Sequence, residues 1–220
     1  PPLPPPAAVI QRMLESEEDT IEASDKGGRL PLHAAAHFPT SSLDIHKLLL
    51  DAYSESAFVK DSSGMLPIHL ASWGGSSLQT SENSTWPVVE LLLQIHPKSY
   101  FIPDRNGDVP LTTMVKYGRS SLDVLAHMLD QHDRKTILAL RDKHHGNTAL
   151  HSALTLAGDV TANSAPSMVD LLLARFPEYA SVQNNNGQLP LHAGLMSCCI
   201  NPDIINQLLE AYPEGATIQD

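Results

Sequence analysis

The sequence predicts an all-α solenoid of helix–turn–helix units, joined by turns or short β-hairpins. Three patterns point to it. A four-residue phrase recurs: LPLH at 30–33, LPIH at 66–69, TALH at 148–151 and LPLH at 189–192, with VPLT at 109–112 in the same register. An Asp or Asn and then a glycine precede each phrase, and an apolar segment of helical period follows it. Self-similarity at a period of ~20–50 residues marks modules that stack to bury a shared core.

Each unit opens on a turn. Asp25, Asp61, Asp104, Asp142 and Asn184 begin it, two places after Ala23, Val59, Ile102, Leu140 and Val182; Ile218 and Asp220 stand in the same register. Gly28, Gly64, Gly107 and Gly187 follow three residues later, and Gly146 four later, so that tip has gained a residue. Asp or Asn hydrogen-bonds the backbone ahead of it, and Gly accepts positive φ, which together make a tight turn. A short first helix then starts at Pro31, Pro67, Pro110 or Pro190. Proline suits the first helical turn, where no amide hydrogen bond is lost.

The second helix is longer. Its apolar residues stand at i, i+4 and i+5: Ile45, Leu49, Leu50; Val88, Leu92, Leu93; Val124, Met128, Leu129; Met168, Leu172, Leu173; Ile204, Leu208, Leu209. With i+8 they fill one arc of ~140°. Polar groups take i+6 in Asp51, Gln94, Asp130 and Glu210. Pro97, Pro177 and Pro213 come directly after i+8 and stop the helix; an extended return to the next turn is expected. Polar inserts at 74–85 and 156–166 lengthen the link between the two helices.

Composition narrows the function. The 220 residues are 42% hydrophobic and carry 25 acidic against 14 basic side chains, a net charge of -11. That supports a packed core and argues against a nucleic-acid surface or docking on anionic lipid. No run approaches the ~18 apolar residues of a membrane span. Cys198 and Cys199, adjacent, are the only cysteines and cannot make a disulfide framework. No targeting peptide is visible. The expected compartment is inside the cell, in the cytoplasm, with nucleus and organelle left open.

These units resemble the ankyrin repeat. The residues that carry the resemblance are DKGGRLPLHAAA at 25–36, DSSGMLPIHLAS at 61–72, DRNGDVPLTTMV at 104–115, DKHHGNTALHSA at 142–153 and NNNGQLPLHAGL at 184–195. The ankyrin signature is T-P-L-H-x-A with a period of about 33; here the glycine spacings are 36, 43, 39 and 41. The division that follows is a proline-rich linker or fragment edge at 1–7 and a partial repeat at 8–24, where Met13 and Leu14 match Leu49 and Leu50. Five repeats then start near 25, 61, 104, 142 and 184, in an array open to continuation past 220. The resemblance implies a structural role for His33, His69, His151 and His192, which brace the turns. Leu30, Leu66, Val109 and Leu189 stand where the signature has Thr, so the Thr–His bond is available only to Thr148 and His151. The other histidines are expected to bond a backbone carbonyl of a neighbouring turn, and the Leu side chains to bury against the next repeat. Thr112 replaces the histidine altogether.

A metal site needs ligands within about 2 Å of one ion, whereas equivalent histidines in a stack stand roughly 10 Å apart. No metal and no cofactor is expected. There is no GxGxxG, Walker loop, HExxH or GxSxG, and the chain reads as no enzyme. The basic segment 134–145 reads as a solvated edge, with a patch for an acidic partner as the alternative. The function implied is protein–protein interaction, as a scaffold or adaptor that binds another protein through its concave face and turn tips. The tips vary on a constant frame, as binding surfaces do. The contact residues are Lys26, Arg29, Ser62, Ser63, Met65, Arg105, Asn106, Asp108, His144, His145, Asn147, Asn184, Asn185, Asn186 and Gln188. A regulatory or targeting segment of a larger enzyme, or a structural subunit of a large assembly, is the alternative.

Overall fold

The computed structural model describes residues 22–38, 42–73, 85–117, 122–156, 165–196 and 201–217. It divides into two compact units, one ending at Arg105 and the other beginning at Asn106. The expectations for 1–7, for 8–21 of the partial repeat, for Cys198 and Cys199, for insert residues 74–84 and 157–164, and for continuation past 220 lie outside the described residues.

In the first unit, α1 (Pro31–His37) and α2 (Leu43–Ala52) lead into a 3-10 turn at Ser54–Phe58. Next, α3 (Pro67–Trp73) and α4 (Trp86–Ile95) lead into Pro97–Phe101. The short helix α1 packs on both α2 and α3, and α3 packs on α4. The second unit holds α5 (Pro110–Tyr117), α6 (Leu122–Asp130), α7 (Arg134–Ala139), α8 (Ala149–Leu156) and α9 (Ala165–Arg175). A 3-10 turn at Pro177–Ser181, α10 (Pro190–Met196), α11 (Pro202–Ala211) and a 3-10 turn at Pro213–Thr217 complete it. Its short helices form one row, α5 on α8 and α8 on α10; its longer helices form a second, α6 on α9 and α9 on α11.

The i, i+4 and i+5 residues of the long helices are buried, apart from the half-buried Leu93 and Leu209. Each fully buried Leu or Ile contributes about 1.5–3 kcal/mol relative to exposure. No described helix is long and apolar enough to cross a membrane.

Three local features differ from the expectations. No strand occurs among the described residues, so the connections are turns and not short hairpins. The Asp and Asn side chains take the amides that a hairpin ladder would pair. The extended return is preceded by a five-residue 3-10 turn, which proline opens at 97, 177 and 213, since it fits the first turn of a new helix as well as it stops the old one, and which Ser54 opens in the first unit. Ser56 and Ser99 hydroxyls donate to the Tyr53 and His96 carbonyls, both at 2.6 Å, and satisfy oxygens at the helix ends. Where Asp133 replaces the proline, it caps a short α-helix instead, accepting from the Thr136 amide at 3.0 Å. That helix buries Ile137, whose carbonyl accepts from the Tyr179 hydroxyl at 2.8 Å.

Candidate functional site

The tips share one geometry. In the second turn the Asp61 amide donates to the Met65 carbonyl at 2.8 Å, closing the loop. Asp61 Oδ1 accepts from the Ser63 and Met65 amides at 2.8 and 2.9 Å. Asn184 repeats this with the Asn186 and Gln188 amides at 2.9 and 3.0 Å. Gly28, Gly64, Gly107, Gly146 and Gly187 all have positive φ, from 66 to 83°. Successive tips are tied to each other within each unit. The Ser62 amide donates to the Gly27 carbonyl at 2.8 Å, Arg105 to Ser63 at 3.0 Å and Asn185 to His145 at 2.8 Å.

The histidines staple the tips from behind. His33 Nδ1 accepts from the Leu30 amide at 3.1 Å, and its Nε2 lies 3.3 Å from the Met65 carbonyl of the next tip. His151 Nδ1 faces the Thr148 amide and hydroxyl, at 3.3 and 2.9 Å, and its Nε2 lies 3.0 Å from the Gln188 carbonyl. A donor facing one nitrogen and an acceptor facing the other select the neutral ring with its proton on Nε2. His69 and His192 take the Leu66 and Leu189 amides in the same way, at 3.1 and 3.0 Å. The half of a capping box that a glutamate usually supplies, a side-chain acceptor for the N-cap amide, is thus supplied by histidine. Where Thr is missing, the backbone amide alone holds Nδ1, and Leu30, Leu66, Val109 and Leu189 are buried. At Thr112 the hydroxyl donates to the Val109 carbonyl at 2.9 Å. Among the described residues no three His, Cys, Asp or Glu side chains converge as metal ligands would.

The structure sorts the expected contact residues. Lys26, Ser62, Ser63, Arg105, Asn106, His144, His145, Asn185 and Asn186 are exposed at the tips. Met65 and Asp108 are not surface groups; they are 6% and 2% exposed. Met65 turns inward beside the His33 staple, and Asp108 lies beneath Lys116, whose ammonium is 2.7 Å away. Arg29, Asn147, Asn184 and Gln188 are half-buried. Arg29 Nε donates to Asp61 at 3.3 Å, and Asn184 donates to Asn147 at 2.9 Å. The basic segment at 134–145 is partly engaged within the second unit. Arg134 pairs with Glu178 and lies over the Phe176 ring, and Arg141 donates to the Leu140 carbonyl at 2.9 Å.

A pocket of about 320 Å³, lined by residues of polar type, opens on the tip side of the second unit. Asn106, His144, His145 and Asn147 line it from the tips, and Lys116, Ser152 and Thr155 from the short helices, with Asp142 at its edge. Lys116, Ser152 and Thr155 were not among the expected residues. A signal for two of them existed: the residue four places after the His or Thr of the phrase is His37, Trp73, Lys116, Thr155 and Met196 in turn, five chemistries at one register.

Stacked short and long helices, positive-φ glycine tips and histidine staples define a helical repeat fold of ankyrin type. The chain is similar in structure to EF0377, an ankyrin repeat protein, with a TM-score of 0.68, 18% sequence identity, and 94% of this chain and 92% of that one covered. That likeness shows the ankyrin-repeat fold. No family model and no curated protein matches the sequence.

Proposed function

We propose that this chain is a protein-binding module, a scaffold or adaptor inside the cell, whose contact surface is the tips and the last turns of the short helices. We read 25–220 as five repeats starting near 25, 61, 104, 142 and 184. The observation that carries the function is the pocket at Asn106, Lys116, His144, His145, Ser152 and Thr155. Its walls come from the positions that vary, while the Asp, Gly and His positions behind them keep the frame rigid. A rigid frame under a variable polar surface suits recognition, because little ordering entropy is lost on binding. The surface comprises the exposed tip residues and excludes Met65 and Asp108.

The test is quantitative capture of partners with the wild-type chain and two triple variants. One, Asn106→Ala/Lys116→Ala/His144→Ala, alters the pocket. The other, Lys47→Ala/Glu90→Ala/Asp203→Ala, alters exposed positions on the long helices. The expected result is loss of specific partners with the first and retention with the second. The reverse pattern would sink the proposal.

A further inference from the structure

The three tips of the first unit treat their two kinds of charge differently. The carboxylates are engaged by the turns. Asp61 and Asp104 are buried, at 5% and 7% exposure, and Asp25 Oδ1 accepts from the Gly27 and Arg29 amides at 2.7 and 2.9 Å. The cations stand outside. Lys26, Lys60 and Arg105 are exposed, and Lys60 Nζ reaches the Pro103 carbonyl at 2.8 Å. Arg29 is half-buried and held by Asp61. Among the described residues, Lys26 and Arg105 join no ion pair. Backbone bonds fix where these two stand. The Ser62 amide meets the Gly27 carbonyl, next to Lys26, and the Arg105 amide meets the Ser63 carbonyl. The exposed Ser62 and Ser63 therefore lie between the two cations. Gly64 leaves room for the Arg105 side chain, since a Cβ there would come within 3.0 Å of Arg105 Cγ.

We propose that this ridge of Lys26, Ser62, Ser63 and Arg105 docks a short acidic segment of a partner protein. Carboxylates sit on the two cations, and the serine hydroxyls donate between them. The inference rests on the reading of the chain as a protein-binding module and names the chemistry of a partner. Arg105 offers a planar fork that matches a carboxylate, and Lys26 offers a point charge. The outer tips are two repeat steps apart, roughly 20 Å for packed helices; about six residues of extended chain cover that length. The net charge of -11 selects a short ligand. Screening confines attraction and repulsion to about 8 Å at physiological ionic strength. A segment lying on the ridge is thus insulated from acidic groups elsewhere. A nucleic acid or an anionic membrane extends past the ridge and meets them. Complementary charge of this kind sets partner choice and speeds encounter.

The test follows the fluorescence anisotropy of a labelled hexaglutamate peptide titrated with the 220-residue chain. Saturable binding is expected. Lys26→Ala/Arg105→Ala is expected to weaken it roughly fivefold, as the loss of two exposed ion pairs implies. Lys47→Ala/Lys98→Ala removes the same charge from other exposed positions of this unit and is expected to change nothing. Equal losses in the two double variants would reduce the effect to net charge and overturn the site. A single-stranded oligonucleotide or a phosphatidylserine vesicle held more tightly than the peptide would overturn the choice of ligand. The pocket variant Asn106→Ala/Lys116→Ala/His144→Ala is expected to bind the peptide as the wild type does. A wild-type chain that ignores the peptide would defeat this inference and leave partner capture through the pocket standing.

Discussion

At the scale of single residues, the repeat histidines do the work of two backbone partners at once. His33 serves the Leu30 amide and the Met65 carbonyl, both out of reach of water. His33→Ala leaves those groups without a partner, at a cost of about 1–3 kcal/mol for each buried group unsatisfied. Urea unfolding measures it, and an unchanged midpoint would contradict the staple. Burial also pushes the imidazoles of His33 and His151 below the ordinary value of 6.5. The unfolded chain binds protons that the folded chain resists, so stability is full above pH 6.5 and falls as pH drops through 6.5 towards the lowered folded values. The urea midpoint should therefore be lower at acid pH, and the drop smaller in a His33→Ala/His151→Ala chain. The bond from Nε2 to the next tip was legible in the sequence, since a histidine without its threonine still needs an acceptor. The bond from the N-cap amide was not, because no side chain announces it. Gly64→Ala combines positive-φ strain, about 1–3 kcal/mol, with a clash against the Arg105 amide at 2.8 Å. It should destabilise more than Gly187→Ala, which meets only the strain, and paired thermal melts would tell them apart.

At the scale of elements, proline at the start of four short helices, a 3.6-residue apolar period in five long ones and proline after three of them placed these helices in the sequence. These are local signals that act on φ, on amide donors and on one face of a helix. The 3-10 turns escaped because proline was read as a stop alone. Helix α7 escaped because Asp133 stands where three other long helices are followed by proline, and carries no such marker. Yet Thr stands three places after it, and the carboxylate accepts from that residue's amide and hydroxyl, at 3.0 and 2.6 Å. The last long helix has a comparable cap, in which Asn201 accepts from the Asp203 amide at 3.0 Å. Asn201→Ala is expected to cost about 1 kcal/mol. Replacement by Asp should retain most of the stability, and a cap variant with no loss by chemical denaturation would refute the assignment.

At the scale of the whole molecule, stability is expected to be shared between neighbours, since each repeat buries its apolar side on the next. Leu154 lies on α8, between α5 and α10, and is fully buried. Leu154→Ala should cost about 2–5 kcal/mol. Hydrogen exchange should quicken in α5 and α10 as well as in α8; quickening confined to α8 would speak against coupled repeats. The sequence by itself determined the repeating frame: helices, turns, glycines and the residues facing inward. It could do so because each depends on neighbours a few places away in the chain. Only the tertiary structure decided which variable residues face solvent. Met65 and Asp108 look like tip residues in sequence and are buried in space, while Lys116, Ser152 and Thr155 come together with the tips around one pocket. The same holds at the last repeat, where Leu195 has the pattern of a core residue and stands open. Burial depends on what the fold brings against a side chain, and that partner lies some forty residues away along the chain, beyond the reach of any local pattern.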